Sequence, residues 1–420
     1  MFGWEYPPEV SGGLGIATHG LLQGLSTLGT SVSFVLPTYK KKPPKSPWQI
    51  INASDVRIKV GELIEEEYWE KITYVEIGSM LMPYISHADY KKLEERKESG
   101  INKHVKVLKE AYKFTGGYGQ SLMEEVTRLA IVAGELASTQ KHDIIHGHDW
   151  MTFPAALAAG AKSGKPVVLH VHSTEMERSF PNIGQDIYDL ERKSFEGADH
   201  LIAVSQLTKN VLVEHYAIDE RKITVVHNSH SPEFKKSASK TSFPSKKPTI
   251  TFLGRMARQK APSLWIDVAK TLSDRNSEIR FVMAGDGYLL NDIKDKVAQL
   301  NLTGKFKFPG FINSSKVKKL LQQTDVFLMC ASSEPFGMVA SEAAFSGVPV
   351  VLSKQTGACE VMPSVISFEC WETFKMASAI EQLISNPKEA MKYTNRIQKE
   401  VKKRTWKKAA QDTIKVYNQL

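Results

Sequence analysis

Two glutamates near residue 340 are, by type and spacing, the side chains best suited to binding a polar ligand. Glu334 lies in the run S-S-E-P-F-G, and Glu342 follows after seven intervening residues. Continuous apolar runs at 326–330 and 348–352 predict buried parallel strands on either side. Open parallel sheets bind ligands beyond the carboxyl ends of their strands, where this loop would lie. We expect both carboxylates to face that crevice, Glu342 about two turns into a helix, and to accept hydrogen bonds from hydroxyl groups.

Glycines at two predicted helix starts could bind an anion. Gly12, Gly13 and Gly15 form G-G-L-G before a helical pattern, and Gly337 precedes the helix that carries Glu342. Glycine leaves backbone N–H groups accessible, and the start of a helix carries partial positive charge. Taken alone, such a glycine loop also fits an ordinary tight turn, and the two glutamates also fit a solvated loop and helix face.

The elements that would position these residues alternate between strand and helix on both sides of a polar, proline-bounded stretch. For the 420 residues we predict an α/β protein with parallel sheets, since alternation of this kind is typical of them. The predicted units are a first domain at 1–231, a linker at 232–248, a second domain at 249–404 and a final amphipathic helix at 405–420. Of the first strand only Met1 and Phe2 are present, which we expect to lower stability.

Composition narrows the class of protein further. Only three cysteines occur, without the C-x-x-C spacing of a zinc site, which favours a reducing compartment. No apolar run approaches the roughly 18 residues of a membrane span, and the start does not fit a signal peptide. We therefore expect a cytoplasmic protein with no membrane span and no nucleic-acid partner, while the oligomeric state stays open.

Two H-x-H motifs follow predicted strands of the first domain. They comprise His146 with His148 and His170 with His172, and the strand before the first is predicted at 143–146. Alternate residues of a strand share a face, so a metal site is conceivable. Because no further ligand cluster accompanies the motifs, we favour cleft residues that hydrogen-bond substrate and expect no metal.

Several motifs occur in a familiar order along nearly the whole chain. They are G-G-L-G, H-G-H-D-W, L-H-V-H-S-T-E, G-R-M-A-R-Q-K, A-G-D-G, S-E-P-F-G with its second glutamate, and a closing tryptophan helix. In this order they resemble the retaining glycosyltransferases of family 4, which have the GT-B fold. The opening F-G-W-E-Y-P-P-E-V-S-G-G-L-G, together with T-G-G-Y-G at 115–119 and H-S-T-E-M-E-R-S, is similar to the glycogen-synthase-like bacterial members. The resemblance implies two Rossmann-like parallel-sheet domains facing across a cleft. The donor would bind the second domain and the acceptor the first, and the last helix would cross back onto the first domain.

The resemblance also implies roles for individual residues. Arg255 and Lys260 would hold the diphosphate of the donor, and the G-G-L-G glycines would approach it from the other side. His172 would lie near the transferred sugar. Glu334 would contact the hydroxyl groups of that sugar and Glu342 the ribose of the nucleotide, within a donor motif that also contains Phe336 and Gly337. One departure concerns 228–230, which reads N-S-H where the family usually has N-G-V or N-G-I.

The expected activity is metal-independent transfer of a hexose, with glucose favoured, to a glucan-like acceptor with retention of configuration. The donor would be an ADP- or UDP-hexose acting as co-substrate, and no cofactor is expected. One alternative is a related transferase acting on a lipid-linked or small-molecule acceptor. Another is a GT-B protein that keeps the fold as a binding or scaffold module without catalysis.

Overall fold

The computed structural model describes residues 1–8, 12–40, 46–57, 112–118, 122–231, 234 and 243–420. Within them the chain forms two all-parallel sheets with helices packed on their faces, which confirms the α/β prediction with two Rossmann-like domains. Most of the predicted linker at 232–248 lies outside the described residues.

The first sheet is built from short, apolar strands joined by helices. Its described elements, in chain order, are α1 (Gly13–Thr27), β1 (Ser33–Leu36), β2 (Gln49–Asn52), α2 (Leu122–Thr139), β3 (Ile145–His148), α3 (Phe153–Ser163), β4 (Val167–Val171), α4 (Glu175–Ser179), α5 (Gln185–Gly197), β5 (His200–Ala203), α6 (Gln206–Tyr216) and β6 (Ile223–Val225). Strands β3, β4, β5 and β6 lie side by side in that order, and β1 pairs with β2.

Phe2 joins these two groups of strands. It forms parallel bridges to Val35 of β1 and Gly147 of β3, so the segment at Phe2 holds the central position of the sheet. Its backbone N–H donates to the carbonyl of His146 at 2.8 Å. The resulting order, with β2 and β1 on one side of Phe2 and β3 to β6 on the other, is that of a doubly wound sheet.

The second sheet has six strands with the same winding. Its elements are β7 (Thr249–Leu253), α7 (Pro262–Arg275), β8 (Arg280–Ala284), α8 (Leu290–Gln299), β9 (Phe306–Gly310), α9 (Ser314–Gln323), β10 (Val326–Met329), α10 (Met338–Phe345), β11 (Val350–Ser353), β12 (Ile366–Phe368), α11 (Thr373–Ser385) and α12 (Pro387–Lys403). The strands are ordered β12-β11-β10-β7-β8-β9. Strand order therefore reverses between β7 and β10, and the crevice at such a switch point is where doubly wound sheets bind ligands.

The last helix, α13 (Trp406–Tyr417), packs on the first domain against α1. Two α1 glycines permit the close approach: a methyl group on Gly20 would lie 2.1 Å from Trp406 Cε2, and one on Gly24 would lie 2.2 Å from the Trp406 carbonyl oxygen. The Trp406 indole N–H donates to the His230 carbonyl at 2.8 Å, and the ring is half-buried. The small residues of α1 thus allow the aromatic ring of α13 to pack closely against it.

Two element boundaries differ from the predictions in ways that matter for the site. Strand β3 lies two residues later than the predicted 143–146, so His146 and His148 fall inside the strand. Helix α10 begins only at Met338, because Pro335 favours an extended Glu334 and Gly337 adopts a left-handed φ of 90°. Glu342 is therefore the fifth residue of the helix, just over one turn from its start, and not two turns in.

Candidate active site

The loops that follow β7 and β10 bring a lysine and a glutamate together at the switch point of the second sheet. Lys260 Nζ forms an ion pair with Glu334, and these side chains retain 18% and 10% of their exposure. The loops are also joined by backbone, since Ser332 N–H donates to the carbonyl of Gln259 at 2.9 Å. The structure therefore brings together two residues predicted separately as diphosphate and sugar ligands.

The Glu334 loop is held rigidly by the segment after β11. Glu334 bridges Thr356 in the parallel sense, and the Gly357 N–H donates to the Glu334 carbonyl at 3.0 Å. Gly337 is required here, because any larger residue would be strained at its φ of 90° and would press on Thr356 and on Glu334. Phe336 is buried, so its ring supports this loop from below and presents little surface to a ligand.

Arg255 lies on the same edge and is available to a ligand. It is exposed, and within the described residues its side chain makes no hydrogen bond or ion pair. Its backbone is fixed by the adjoining A-G-D-G turn, where Gly285 has a φ of 137° and a methyl group would lie 1.8 Å from the Gly254 carbonyl oxygen. A free guanidinium on a fixed backbone suits recognition of an anion.

The first domain contributes the start of α1. Gly12 is the N-cap residue and has no side-chain capping bond, and Gly13 is exposed, whereas Gly15 is buried within the helix. A methyl group on Gly13 would lie 3.6 Å from Met338 Cε, at the equally uncapped start of α10. The starts of two helices from different domains therefore lie close together, and the partial positive charge at each start suits an anion such as a diphosphate.

Glu342 lies deeper than expected. Its side chain is only 5% exposed, and Oε1 accepts a hydrogen bond from the Ser231 N–H at 3.3 Å. The carboxylate thus contacts the end of the first domain, where the chain leads into the second domain (the domain crossing), while Glu334 pairs with Lys260. The two glutamates flank the start of α10 but have different partners.

His172 directly follows β4, and Asp149 holds its backbone in place. Oδ1 of Asp149 accepts hydrogen bonds from the backbone N–H groups of His172 at 2.7 Å and Ser173 at 3.3 Å. Burial lowers the pKa of His172 to about 3, so its imidazole is neutral near pH 7. Burial raises the pKa of Asp149 to about 7, against the opposing field of Arg178.

A buried ionic network lies beyond Asp149, and the sequence analysis did not identify it. Arg178 pairs with Glu191 at 2.6 Å and with Glu175 at 3.2 Å, and it donates to the carbonyl of Ser173 at 3.0 Å. Tyr216 donates to the same Glu191 at 2.5 Å. The E-M-E-R-S run that follows His172 is therefore a rigid support for it. The signal in the sequence that could have predicted this network is the acidic and basic pair Glu175 and Arg178, three residues apart on a helix.

The two H-x-H motifs form one group, which corrects the expectation that all four histidines line the cleft. We call His146, His148, His170 and His172 the histidine stack. The first three are 2%, 0% and 2% exposed, because β3 and β4 are adjacent and carry them on one shared face. Within the described residues, ligand atoms of these three could hold a metal ion. Only His172 is partly exposed.

A contact between the domains also escaped the sequence analysis. Glu360 accepts hydrogen bonds from the N–H groups of Gln206 at 2.8 Å and Leu207 at 3.2 Å, at the start of α6. It also pairs with His227 Nε2 at 2.6 Å. Burial opposes ionisation of Glu360, but these hydrogen bonds outweigh it and lower its pKa. The carboxylate thus fastens the second domain to a helix start of the first.

The departure at 228–230 lies in the crossing between the domains. Ser229 Oγ donates to the Arg404 carbonyl at 2.8 Å, and the His230 ring stacks on Phe345 with centroids 3.9 Å apart. The serine and histidine thus make contacts that glycine and an aliphatic residue would lack.

Comparisons with known proteins agree with this architecture. Residues 233–403 match the family described as Glycosyl transferases group 1, and residues 89–234 match Glycosyltransferase Family 4. Each domain thus matches a glycosyltransferase family of its own, and neither match covers half of the chain.

Two relatives align over almost the full length. An uncharacterised glycosyltransferase of Methanocaldococcus jannaschii is 26% identical, with 99% of this chain and 97% of that protein covered. The glycogen synthase of Mycobacterium tuberculosis is 21% identical, with 99% and 93% covered.

Solved structures share the fold. Sucrose-phosphate synthase from Thermosynechococcus elongatus superposes with a TM-score of 0.71 at 15% identity, covering 97% of this chain and 94% of that one. Anabaena HepE in complex with UDP and glucose gives a TM-score of 0.61 at 17% identity, covering 86% and 97%. The two parallel sheets and these matches together support a glycosyltransferase with the GT-B fold. No helix in the described part of the chain combines the length and apolar character that a membrane span needs.

Proposed function

We propose that the protein is a retaining glycosyltransferase that moves a hexose, with glucose favoured, from a nucleotide sugar to a glucan-like acceptor. The Lys260–Glu334 pair opposite the uncapped start of α1 carries the proposal. It combines a cation, a hydroxyl-binding carboxylate and two positive helix ends at one switch point. A nucleotide sugar offers the matching groups, a diphosphate next to a ring of hydroxyls.

Donor binding follows from these groups. The diphosphate would lie between the starts of α1 and α10, with Arg255 and Lys260 as its charged partners. Glu334 would then exchange part of its contact with Lys260 for hydroxyl groups of the hexose, and Glu342 would accept from the ribose. The HepE complex with UDP and glucose, in a protein of the same fold, supports a donor of this class.

The reaction needs little covalent chemistry from the protein. The acceptor oxygen forms a bond to C1 of the hexose while the bond from C1 to the phosphate oxygen breaks. The electron pair of that bond goes to the leaving phosphate, which takes the proton of the acceptor hydroxyl, and attack from the same face retains the configuration. Arg255, Lys260 and the helix N–H groups would stabilise the charge that grows on the phosphate. We therefore propose that the reaction requires no added divalent metal ion.

The acceptor would enter from the first domain, beside His172. The neutral imidazole, held through Asp149, could hydrogen-bond a hydroxyl group of the hexose or of the acceptor. Full-length alignment with a glycogen synthase favours a glucan. The match to sucrose-phosphate synthase makes a small sugar the main competitor.

The test is nucleotide release from ADP-glucose, UDP-glucose and other nucleotide hexoses, with and without acceptor. Acceptors would be glycogen, maltooligosaccharides, hexose phosphates and lipid-linked sugars. We expect release that depends on glycogen or maltooligosaccharide, an α-linked product by NMR, and no change on adding EDTA to the assay. Transfer only to a small or lipid-linked acceptor would replace the glucan assignment. Binding of donors without release or transfer under any condition would favour a non-catalytic protein.

A further inference from the structure

Three members of the histidine stack, His146, His148 and His170, are buried beneath the last helix. Neighbouring ring centroids in the stack lie 4.4 to 5.4 Å apart. Tyr417 of α13 closes it from one side, with its hydroxyl 2.5 Å from His146 Nδ1. Buried polar groups almost always have a hydrogen-bond partner or another ligand. A group of buried imidazoles therefore raises the question of what binds their ring nitrogens.

Four of the ring nitrogens in the stack lack a partner in the part of the chain that the structure describes. Within the described residues, His146 Nε2, His148 Nε2 and both ring nitrogens of His170 are buried without a hydrogen bond. Each unpaired buried group of this kind is costly, so something that satisfies several at once would stabilise the fold. The three rings also lie close enough to share one ion: one ring nitrogen from each of His146, His148 and His170 lies within 4.8 Å of the others.

The hydrogen bonds that do exist leave these nitrogens free as acceptors. If His146 Nδ1–H donates to the Tyr417 hydroxyl, the lone pair of its imidazole is on Nε2. Likewise, if His148 Nδ1–H donates to His172 Nε2, 3.0 Å away, His148 Nε2 is free. Metal-binding histidines characteristically have their second nitrogen fixed in this way. Burial, together with the neighbouring imidazoles, lowers the pKa of all three histidines, which keeps them neutral.

We propose that His146, His148 and His170 bind one divalent transition-metal ion, best suited to zinc, through one nitrogen each. Neutral imidazoles suit zinc and neighbouring transition metals, whereas calcium and magnesium prefer oxygen ligands. Tetrahedral zinc, with Zn–N bonds of about 2.0–2.1 Å, separates its ligand nitrogens by about 3.4 Å. Each ligand nitrogen would therefore move about 1 Å towards the ion. The fourth coordination position of the zinc would be left for water.

Such an ion would be structural and not part of the transfer reaction. It would cross-link β3 and β4, and through Tyr417 it would strengthen the seat of α13. By drawing electron density from His148 it would also strengthen the bond from His148 Nδ1–H to His172 and fix the tautomer of His172. The site shares no ligand with the donor loops, so it can be tested apart from the proposed function.

The experiment measures metal content and metal response of the full chain, purified without a histidine tag. We expect about one zinc per chain by elemental analysis, retained through gel filtration in EDTA because the site is enclosed. After removal of the ion with a strong chelator in mild denaturant, Co²⁺ should give the visible absorption of tetrahedral coordination, saturating at one equivalent. Zinc in excess of its Kd should raise the melting temperature of the stripped protein by about 5 °C.

Variants separate this site from adventitious binding. His170→Leu removes one ligand and should lose the bound ion and the thermal response. His142→Ala is the matched control, since His142 hydrogen-bonds Gln140 and Ser163 outside the stack and its loss should leave one ion per chain. Should His170→Leu fail to fold, Tyr417→Phe, which loses only a supporting hydroxyl, should bind zinc about 10- to 100-fold more weakly. A metal-free parent that gives no one-to-one cobalt spectrum would overturn the proposal, as would unchanged zinc binding in His170→Leu or, where that variant does not fold, in Tyr417→Phe.

Discussion

Replacing Lys260 by alanine should slow turnover far more than it weakens donor binding. Lys260 is already held at the site by Glu334, with only 18% of its side chain exposed, so little ordering remains when the donor arrives. Its contribution should then appear where negative charge grows, on the leaving phosphate. Loss of one preorganised contact of this kind costs about 3–4 kcal/mol, or about 10²–10³ in kcat.

The ion pair adds a competing effect that can be measured. Lys260→Ala leaves the Glu334 carboxylate unpaired near the donor phosphates, which should raise the donor KM modestly. Because both partners are largely buried, their coupling in unfolding free energy should be about 1–3 kcal/mol, between the values for exposed and buried pairs. The double variant with Glu334→Ala should recover stability but not rate.

The assay is nucleotide release at saturating donor, with donor affinity measured separately by calorimetry. Lys270→Ala is a matched control, since Lys270 pairs with Asp274 on the surface of α7. Arg255→Ala should resemble Lys260→Ala in kcat without a change in stability, because Arg255 has no described partner. Near-normal turnover in both Arg255→Ala and Lys260→Ala would refute the assignment of charge stabilisation to these residues.

Three further predictions test neighbouring parts of the structure. Glu342→Ala should chiefly raise the donor KM in steady-state kinetics, because a ribose contact is equal in ground and transition states. Burial raises the pKa of Asp149 to about 7, so its contribution to stability is complete below about pH 4 and lost by about pH 7. Between those values the unfolding free energy of the parent should fall by up to about 1.4 kcal/mol per pH unit, and that of Asp149→Asn should not. Urea unfolding should therefore show a stability difference in favour of the variant that grows over this pH range and stays constant above it. Gly24→Ala should destabilise the seat of α13 by about 1–3 kcal/mol in thermal unfolding, whereas Gly304→Ala, whose added methyl group would contact nothing, should not.

Local patterns were sufficient for the elements that carry the site. Strands β10 and β11 coincide to within two residues with the strands predicted at 326–330 and 348–352, because a strand covered on both faces reads as a continuous apolar run. Gly337 directly precedes α10, as its place ahead of the helical pattern indicated. These features depend on nearest neighbours along the chain, which the sequence records directly.

The partners of the site residues depended on contacts between distant segments. Lys260 and Glu334 are 74 residues apart, and Glu360 contacts α6 across 154 residues. The choice of such partners is made by strand order and domain packing, which hydrophobic periodicity does not encode. The same reason explains why the two H-x-H motifs read as separate cleft residues when adjacent strands unite them in a core.

The sequence by itself determined the alternation of strand and helix that gives parallel sheets, and the glycines at helix starts. Both follow from the chemistry of short segments, whereas the charged groups expected to hold a diphosphate came from the family resemblance. Only the tertiary structure decided that Glu342 is buried at the domain crossing, that Asp149 and Arg178 support His172, and that α13 covers the histidine stack. Burial and long-range pairing set these outcomes, because they depend on which surfaces meet when the two domains pack.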